Sequence, residues 1–275
     1  MTKVAIIYDF DKTLCAKDMQ EYSLIPSLGY DNAGDFWKEV VDITKTNHMD
    51  GISSYLYVLH KKFEEQGTPL HKSLFEDLGK DIVLYPGVET WFSRVNEMGK
   101  ELGLEIEHYI ISSGMHEIID STTIAKEFKK IYACQYYYED GYAKWPARII
   151  NYTTKTQYIF RINKQVLDEN EDDELNRYVA PEDRPIPFTK MVYIADGITD
   201  VPCMRLVKEY GGKSIAIFNE EAPHSKEVAK ELIRDGRANY MVSANYEKDS
   251  DMEKLMQKIL KHMQADSILE ELEGN

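Results

Sequence analysis

Cysteine is scarce in this chain: Cys15, Cys134 and Cys203 are odd in number and far apart, and no Cys-x-x-Cys pair occurs. That spacing supports neither a disulfide framework nor a zinc site. No apolar run approaches the ~20 residues that span a bilayer, so no membrane helix is expected. The opening MTKVAIIYDF has too short an apolar stretch for a signal peptide and meets Asp9 where a cleavage site would belong. The expected location is the cytoplasm. Positive charge is also in short supply, since 33 Lys plus Arg stand against 48 Asp plus Glu, for a formal charge of −15. That balance argues against a nonspecific nucleic-acid binder, which collects cations to neutralise phosphates. The expected partner is a small molecule.

What is present is an ordinary globular composition, 43% apolar over 275 residues, enough for one large domain or a core with a smaller companion. Residues Lys3 to Phe10 read KVAIIYDF, a continuous apolar run ending in a carboxylate, as expected of a strand buried on both faces. Similar runs recur at His108–Ser112, Met191–Asp196, Ser214–Asn219 and Asn239–Val242, separated by stretches of helical periodicity. This alternation predicts an α/β fold with a parallel sheet and helices on both faces. Between Ala16 and Lys80 no strand-like run appears. There Ile52, Tyr55, Leu56, Leu59 and Phe63 keep helical spacing, and Gly29, Gly34, Gly51 and Gly67-Thr68-Pro69 divide the stretch into about four helices. The predicted organisation is a core of residues 1–15 and 85–275 with a helical insert at 16–84. Asp140-Gly141, flanked by aromatic strand formers, predicts a hairpin. The acidic stretch Asp168–Glu174 lies before Pro181, Pro185 and Pro187 and is expected to be a solvated surface insertion, while Met252–Leu272 reads as a packed amphipathic helix.

Chemistry concentrates at strand ends. Asp9-Phe10-Asp11-Lys12-Thr13 stands where the first strand runs out, the place where open α/β sheets bind ligands. Two carboxylates this close repel unless a cation or a proton compensates, although Asp11 could simply cap a helix. Asp196 also ends an apolar strand, and Asp200 follows four residues later. Four carboxylates at two strand ends suit a hard cation, and magnesium is the natural choice. Ser112-Ser113-Gly114 follows a third strand, with hydroxyls and backbone N–H groups expected at a helix N-terminus, where anions bind; Ser112 as a plain N-cap is the alternative. Lys155 falls in the first turn of another helical run, an unfavourable place for a cation unless a negative charge such as a phosphate lies nearby. A hydrated surface lysine is the competing reading.

The ordered set of DxDxT (Asp9, Asp11, Thr13), a strand-terminal Ser112, Lys155 at a helix start and DxxxD (Asp196, Asp200) resembles the four motifs of the haloacid dehalogenase (HAD) superfamily. The helical insert directly after the first motif is similar to the caps of its phosphoserine phosphatase-like branch. The resemblance implies a HAD-like Rossmannoid core and a magnesium-dependent phosphatase of small phosphorylated metabolites. It implies Asp9 as nucleophile, Asp11 as acid and base, magnesium held by Asp9, Asp196 and the Asp11 carbonyl with Asp200 in support, and Ser112, Lys155, Thr13, Ser113 and Gly114 around the phosphate. Asp18 would meet the amino group of a phosphoserine-like substrate. Lys144 and Lys164 compete with Lys155, because an acidic, Pro-rich stretch lengthens the interval to Asp196. A phosphotransferase using the same intermediate, or a noncatalytic phospho-ligand binder on this fold, remains the alternative. Dehalogenases resemble one another in lacking the second carboxylate, here Asp11.

Overall fold

The computed structural model describes residues 1–273. Seven strands form one sheet: β1 (Thr2–Tyr8), β2 (Leu104–Met115), β3 (Lys130–Glu139), β4 (Tyr142–Arg148), β5 (Met191–Ala195), β6 (Lys213–Phe218) and β7 (Tyr240–Ser243). Their spatial order is β4-β3-β2-β1-β5-β6-β7, and every neighbouring pair is parallel except β3 with β4. The first strand is therefore central, with β2 on one side and β5 on the other, and the strand order reverses at it. That reversal opens a crevice beyond the carboxyl ends of the strands.

Burial follows the apolar runs: Val4 to Tyr8 and Met191 to Ala195 have no exposed surface. Strand β2 is longer than the five residues that its apolar run suggests, because two buried polar side chains within it find distant partners. Glu107 takes ion pairs from Lys3 and Lys129 and a hydrogen bond from Tyr109. His108 lies in a chain of polar contacts in which the Trp91 indole donates to the Tyr8 hydroxyl (2.9 Å), which meets His108 Nδ1 (3.1 Å), while Nε2 meets Asn96 Oδ1 (3.0 Å). The hairpin stands where Asp140-Gly141 placed it, with both residues in left-handed backbone (φ 51° and 81°), as a two-residue turn of matching twist requires.

The segment between β1 and β2 carries α1 (Leu24–Ser27), α2 (Ala33–Asn47), α3 (Gly51–Glu65) and α4 (Lys72–Leu78), ahead of α5 (Val88–Glu101) in the core. Its two connections meet, since Cys15 and Leu84 form an antiparallel bridge and Tyr85 N–H donates to Leu14 O. The returning leg is not free of the sheet. Lys72 N–H donates to Gly141 O and Ala143 N–H to Leu70 O, both at 2.8 Å, so this leg covers the outer edge of β4. Farther along, a Cβ on Gly79 would lie 2.4 Å from the carbonyl oxygen of Ile118, which shows how closely the end of α4 sits on α6 (His116–Asp120).

The remaining helices are α7 (Lys155–Lys164), α8 (Asp172–Asn176), α9 (Val201–Glu209), α10 (Pro223–Arg234) and α11 (Asp251–Glu273). The acidic stretch is exposed but anchored: buried Arg161 donates to the carbonyls of Asp168 and Glu169 and to the Asp172 carboxylate, and Arg148 pairs with Glu169. Helix α11 buries Met252, Met256, Ile259, Leu260 and Met263 against the core. Among the described residues no helix is long and apolar enough to cross a membrane.

Candidate active site

The first motif turns sharply as it leaves the sheet. Asp9 N–H still donates to Ile194 O (3.0 Å), holding it in register with β5; beyond it, the N–H groups of Thr13 and Leu14 both donate to Phe10 O. Lys12 takes left-handed backbone at φ 54°, and this turn lets Asp11 stand near Asp9 although alternation on a strand would separate them. Asp11 Oδ1 accepts the Met19 N–H at 2.7 Å. Thr13 is fully buried with no partner for its hydroxyl, and its carbonyl accepts the Tyr246 hydroxyl.

Lys155 reaches the same place from the start of α7. Its ammonium, 1% exposed, donates to Asp9 Oδ1 at 2.9 Å and to Asp200 Oδ1 at 2.8 Å. The competing lysines go elsewhere: Lys144 is exposed on β4, and Lys164 donates to the carbonyls of Leu175 and Arg177. Asp200 also accepts the Tyr193 hydroxyl on Oδ1 and the Thr199 hydroxyl on Oδ2, so both its oxygens are engaged. One oxygen from each of Asp9, Asp196 and Asp200 lies within 4.8 Å of the others. The Asp11 carboxylate is not part of this group.

This cluster is short of positive charge. Burial, then Asp200, pushes Asp9 up to about 7, with Lys155 pulling the other way. Burial, then Asp9 and Asp200, pushes Asp196 up to about 8. Asp11 is held well above the usual carboxylate range by burial first and by Asp18 and Asp9 second. For Lys155 burial opposes the charge, but Asp200 and Asp9 outweigh it, so the ammonium is held above its ordinary range.

The expectation of a helix N-terminus at Ser112-Ser113-Gly114 is corrected by the structure. Strand β2 continues to Met115, with a register shift against β3 between Ile111 and Met115, and the helix that follows starts only at His116 and has five residues. Pairing of Met115 with Cys134 on β3 keeps the chain extended past the point where its apolar run ends. Ser112 is buried and its Oγ accepts the Gly114 N–H; the Ser113 hydroxyl is buried without a partner. Gly114 lets the chain pass close to the site: a Cβ there would lie 2.1 Å from Met19 Cε, which would have to move, and 3.1 Å from Asp11 Oδ2. Asp18 stands at the start of the insert, part-buried, in a 2.6 Å ion pair with Lys12. Its side chain caps no helix.

Sequence reasoning missed Tyr193, Thr199 and Met19. Tyr193 sits inside an apolar strand and Met19 reads as core, so nothing local marks either.

The chain is 28% identical over 280 residues to an uncharacterized protein of Borreliella burgdorferi, covering 90% of this chain and 93% of that one. Among solved structures it is similar to a HAD family hydrolase from Salmonella enterica serovar Typhi (TM-score 0.56, 15% identity, 86% of this chain and 66% of that one). It is also similar to a probable phosphoserine phosphatase from Vibrio cholerae (TM-score 0.60, 13% identity, 97% and 67%). A third likeness is to a phospho-aspartyl intermediate analogue of phosphoserine phosphatase (TM-score 0.52, 16% identity, 94% and 99%). At these identities the structural likeness is one of fold. The model of the haloacid dehalogenase-like hydrolases matches residues 6–205, a span that holds all four motifs, and the chain belongs to that family.

Proposed function

We propose that this chain is a magnesium-dependent phosphatase that hydrolyses a small phosphomonoester through an aspartyl-phosphate on Asp9, with residues 16–84 as its cap. The observation that carries this reading is Lys155, a buried ammonium bonded at once to Asp9 and Asp200 at the carboxyl ends of the central strands. A buried cation between two carboxylates, beside a third, is costly to assemble for stability alone.

The donor set fits magnesium: Asp9 and Asp196 offer hard oxygens close together, the family resemblance adds the Asp11 carbonyl, and the raised Asp9 and Asp196 carboxyls mark a place where a cation is favoured. Asp200, whose oxygens hold Lys155, Tyr193 and Thr199, would support the site from behind. When bound, the ion would reduce repulsion between the Asp9 carboxylate and the substrate phosphate. Asp9 attacks phosphorus, the ester P–O bond breaks, and Asp11 gives its proton to the departing oxygen. Burial, with Asp18 and Asp9 beside it, raises the Asp11 carboxyl, which favours its holding the proton that an acid must give. Water then yields a proton to Asp11 and attacks the intermediate, and the bond between phosphorus and Asp9 breaks. Lys155 and Ser112 hold the phosphoryl oxygens, with Thr13, Ser113 and Gly114 around them.

A phosphoserine substrate would bring its ammonium to Asp18. Lys12 already holds that carboxylate at 2.6 Å, so binding would have to open the pair.

Asp9→Asn keeps the shape of the site and removes the nucleophile. Turnover of an aryl phosphate with magnesium should fall at least about a thousandfold while the fold survives. A variant retaining a tenth or more of the wild-type rate, about a tenfold loss at most, would refute the covalent route.

A further inference from the structure

We infer that the insert reads the leaving group with uncharged hydrogen-bonding side chains, Gln20, Ser54 and Tyr55. The substrate is then the phosphate ester of a neutral, hydroxyl-bearing alcohol, a polyol or sugar phosphate, in preference to an amino-acid phosphate. This rests on the phosphatase reading above.

Two of these side chains carry buried polar atoms without partners. Gln20 is 3% exposed; its Nε2 donates to the Tyr55 hydroxyl at 3.1 Å, and its Oε1 has no partner. Ser54 has no exposed surface, and its hydroxyl has no partner. A buried polar atom left without a partner destabilises the fold unless something satisfies it.

Their position brackets the reacting groups. Gln20 follows Met19, whose N–H lies on Asp11, and through its Nε2 it holds the Tyr55 hydroxyl on the same side. Ser54 and Tyr55 occupy the start of α3, where Asp50 accepts from Asn151 at 3.0 Å, in the loop that leads into Lys155. The polar face of the insert is thus held toward Asp11 at one end and toward the Lys155 loop at the other, where a leaving group would project.

Charge complementarity disfavours the amino-acid alternative, since Lys12, the cation beside Asp18, is already held by that carboxylate. Phosphoserine carries a carboxylate that needs a cation once removed from water. The insert has no arginine between Ala16 and Leu84, and none of its lysines is buried. The acidic groups nearest the site are engaged, Asp18 by Lys12 and Glu21 by the Trp37 indole. A hydroxyl donates and accepts, which matches an acceptor on Gln20 and hydroxyls on Ser54 and Tyr55.

The test compares rates of the full-length protein with magnesium on glycerol 1-phosphate, propyl phosphate, phosphoserine and phenyl phosphate. Sites built to bond a hydroxyl reject the analogue lacking it, so kcat/KM should be at least about tenfold higher for glycerol 1-phosphate than for propyl phosphate or phosphoserine. Gln20→Met and Ser54→Ala should each move the glycerol-to-propyl ratio toward one; if Gln20→Met does not fold, Ser54→Ala decides. A wild-type ratio near one alongside turnover of phenyl phosphate overturns this inference alone. So does a ratio that neither variant changes, or a preference for phosphoserine. No turnover of any ester, phenyl phosphate included, overturns the phosphatase reading and this inference with it.

Discussion

Replacing Lys155 by Met keeps most of the buried volume and removes the ammonium that bonds Asp9 and Asp200. Bulk water screens the two carboxylates poorly, because the Lys155 and Asp200 side chains are 1% and 0% exposed and that of Asp9 is 7%. Removing one partner of a buried pair costs about 3–5 kcal/mol. Asp200 keeps its bonds from Tyr193 and Thr199, so the loss falls mainly on Asp9, and the lower end, about 3 kcal/mol, applies at pH 8. At about 2–4 °C per kcal/mol this is a drop of roughly 6–12 °C in melting temperature. The cost depends on pH with a definite sign. Asp9 already stands at about 7 with Lys155 present and rises further without it. A carboxyl whose folded value exceeds its unfolded value of about 4 contributes stability at low pH and loses it as pH rises through the folded value. The deficit of Lys155→Met should therefore widen between pH 5 and pH 8, as read by urea denaturation in EDTA. Adding Asp9→Asn should recover much of it, since no buried charge is then left unpaired. A deficit below about 1 kcal/mol at pH 8, or one equal at pH 5 and 8, would refute the reasoning.

The same sign governs the metal. Above pH 6.5, where His108, pushed down to about 3 by burial, is neutral folded or unfolded, the metal-free protein should lose stability up to pH 8 as Asp9 and Asp196 ionise. The slope is at most about 1.4 kcal/mol per pH unit for each carboxyl, and magnesium should flatten it; parallel melting curves with EDTA and with magnesium would contradict this. Asp11→Asn should slow alkyl phosphates far more than aryl phosphates, because a good leaving group needs less protonation. Equal losses in steady-state rates would remove Asp11 as the acid. Gly87→Ala should destabilise by about 2–5 kcal/mol in urea denaturation, since φ is +82° and a Cβ would lie 2.3 Å from the Glu247 nitrogen. Gly103→Ala, strained at φ +70° but facing open space, should cost about 1 kcal/mol, and similar losses at the two positions would show that the contact with Glu247 does not matter.

Local physics was legible in the amino-acid order. A strand buried on both faces must be a continuous apolar run, so Asp9 and Asp196, which end such runs, could be placed at the crevice before any coordinates. The Asp140-Gly141 turn was readable because positive φ at two successive positions restricts the residue types that tolerate it. Long-range partnership was not. The apolar run near His108 could not reveal that β2 extends from Leu104 to Met115, because its buried Glu107 is satisfied by Lys3 and Lys129 and its far end pairs with Cys134 on β3, all distant in the chain. For the same reason the helix expected at Ser112 begins four residues later. Telling Lys155 from Lys144 and Lys164 needed the fold, since only tertiary structure decides whether an ammonium meets Asp9 and Asp200, the carbonyls of Leu175 and Arg177, or solvent. The insert's helices followed from periodicity, but what they present to Asp11 did not. Periodicity records which face of a helix is buried, whereas the partner that a buried Gln20 or Ser54 lacks is decided only when distant segments close around it.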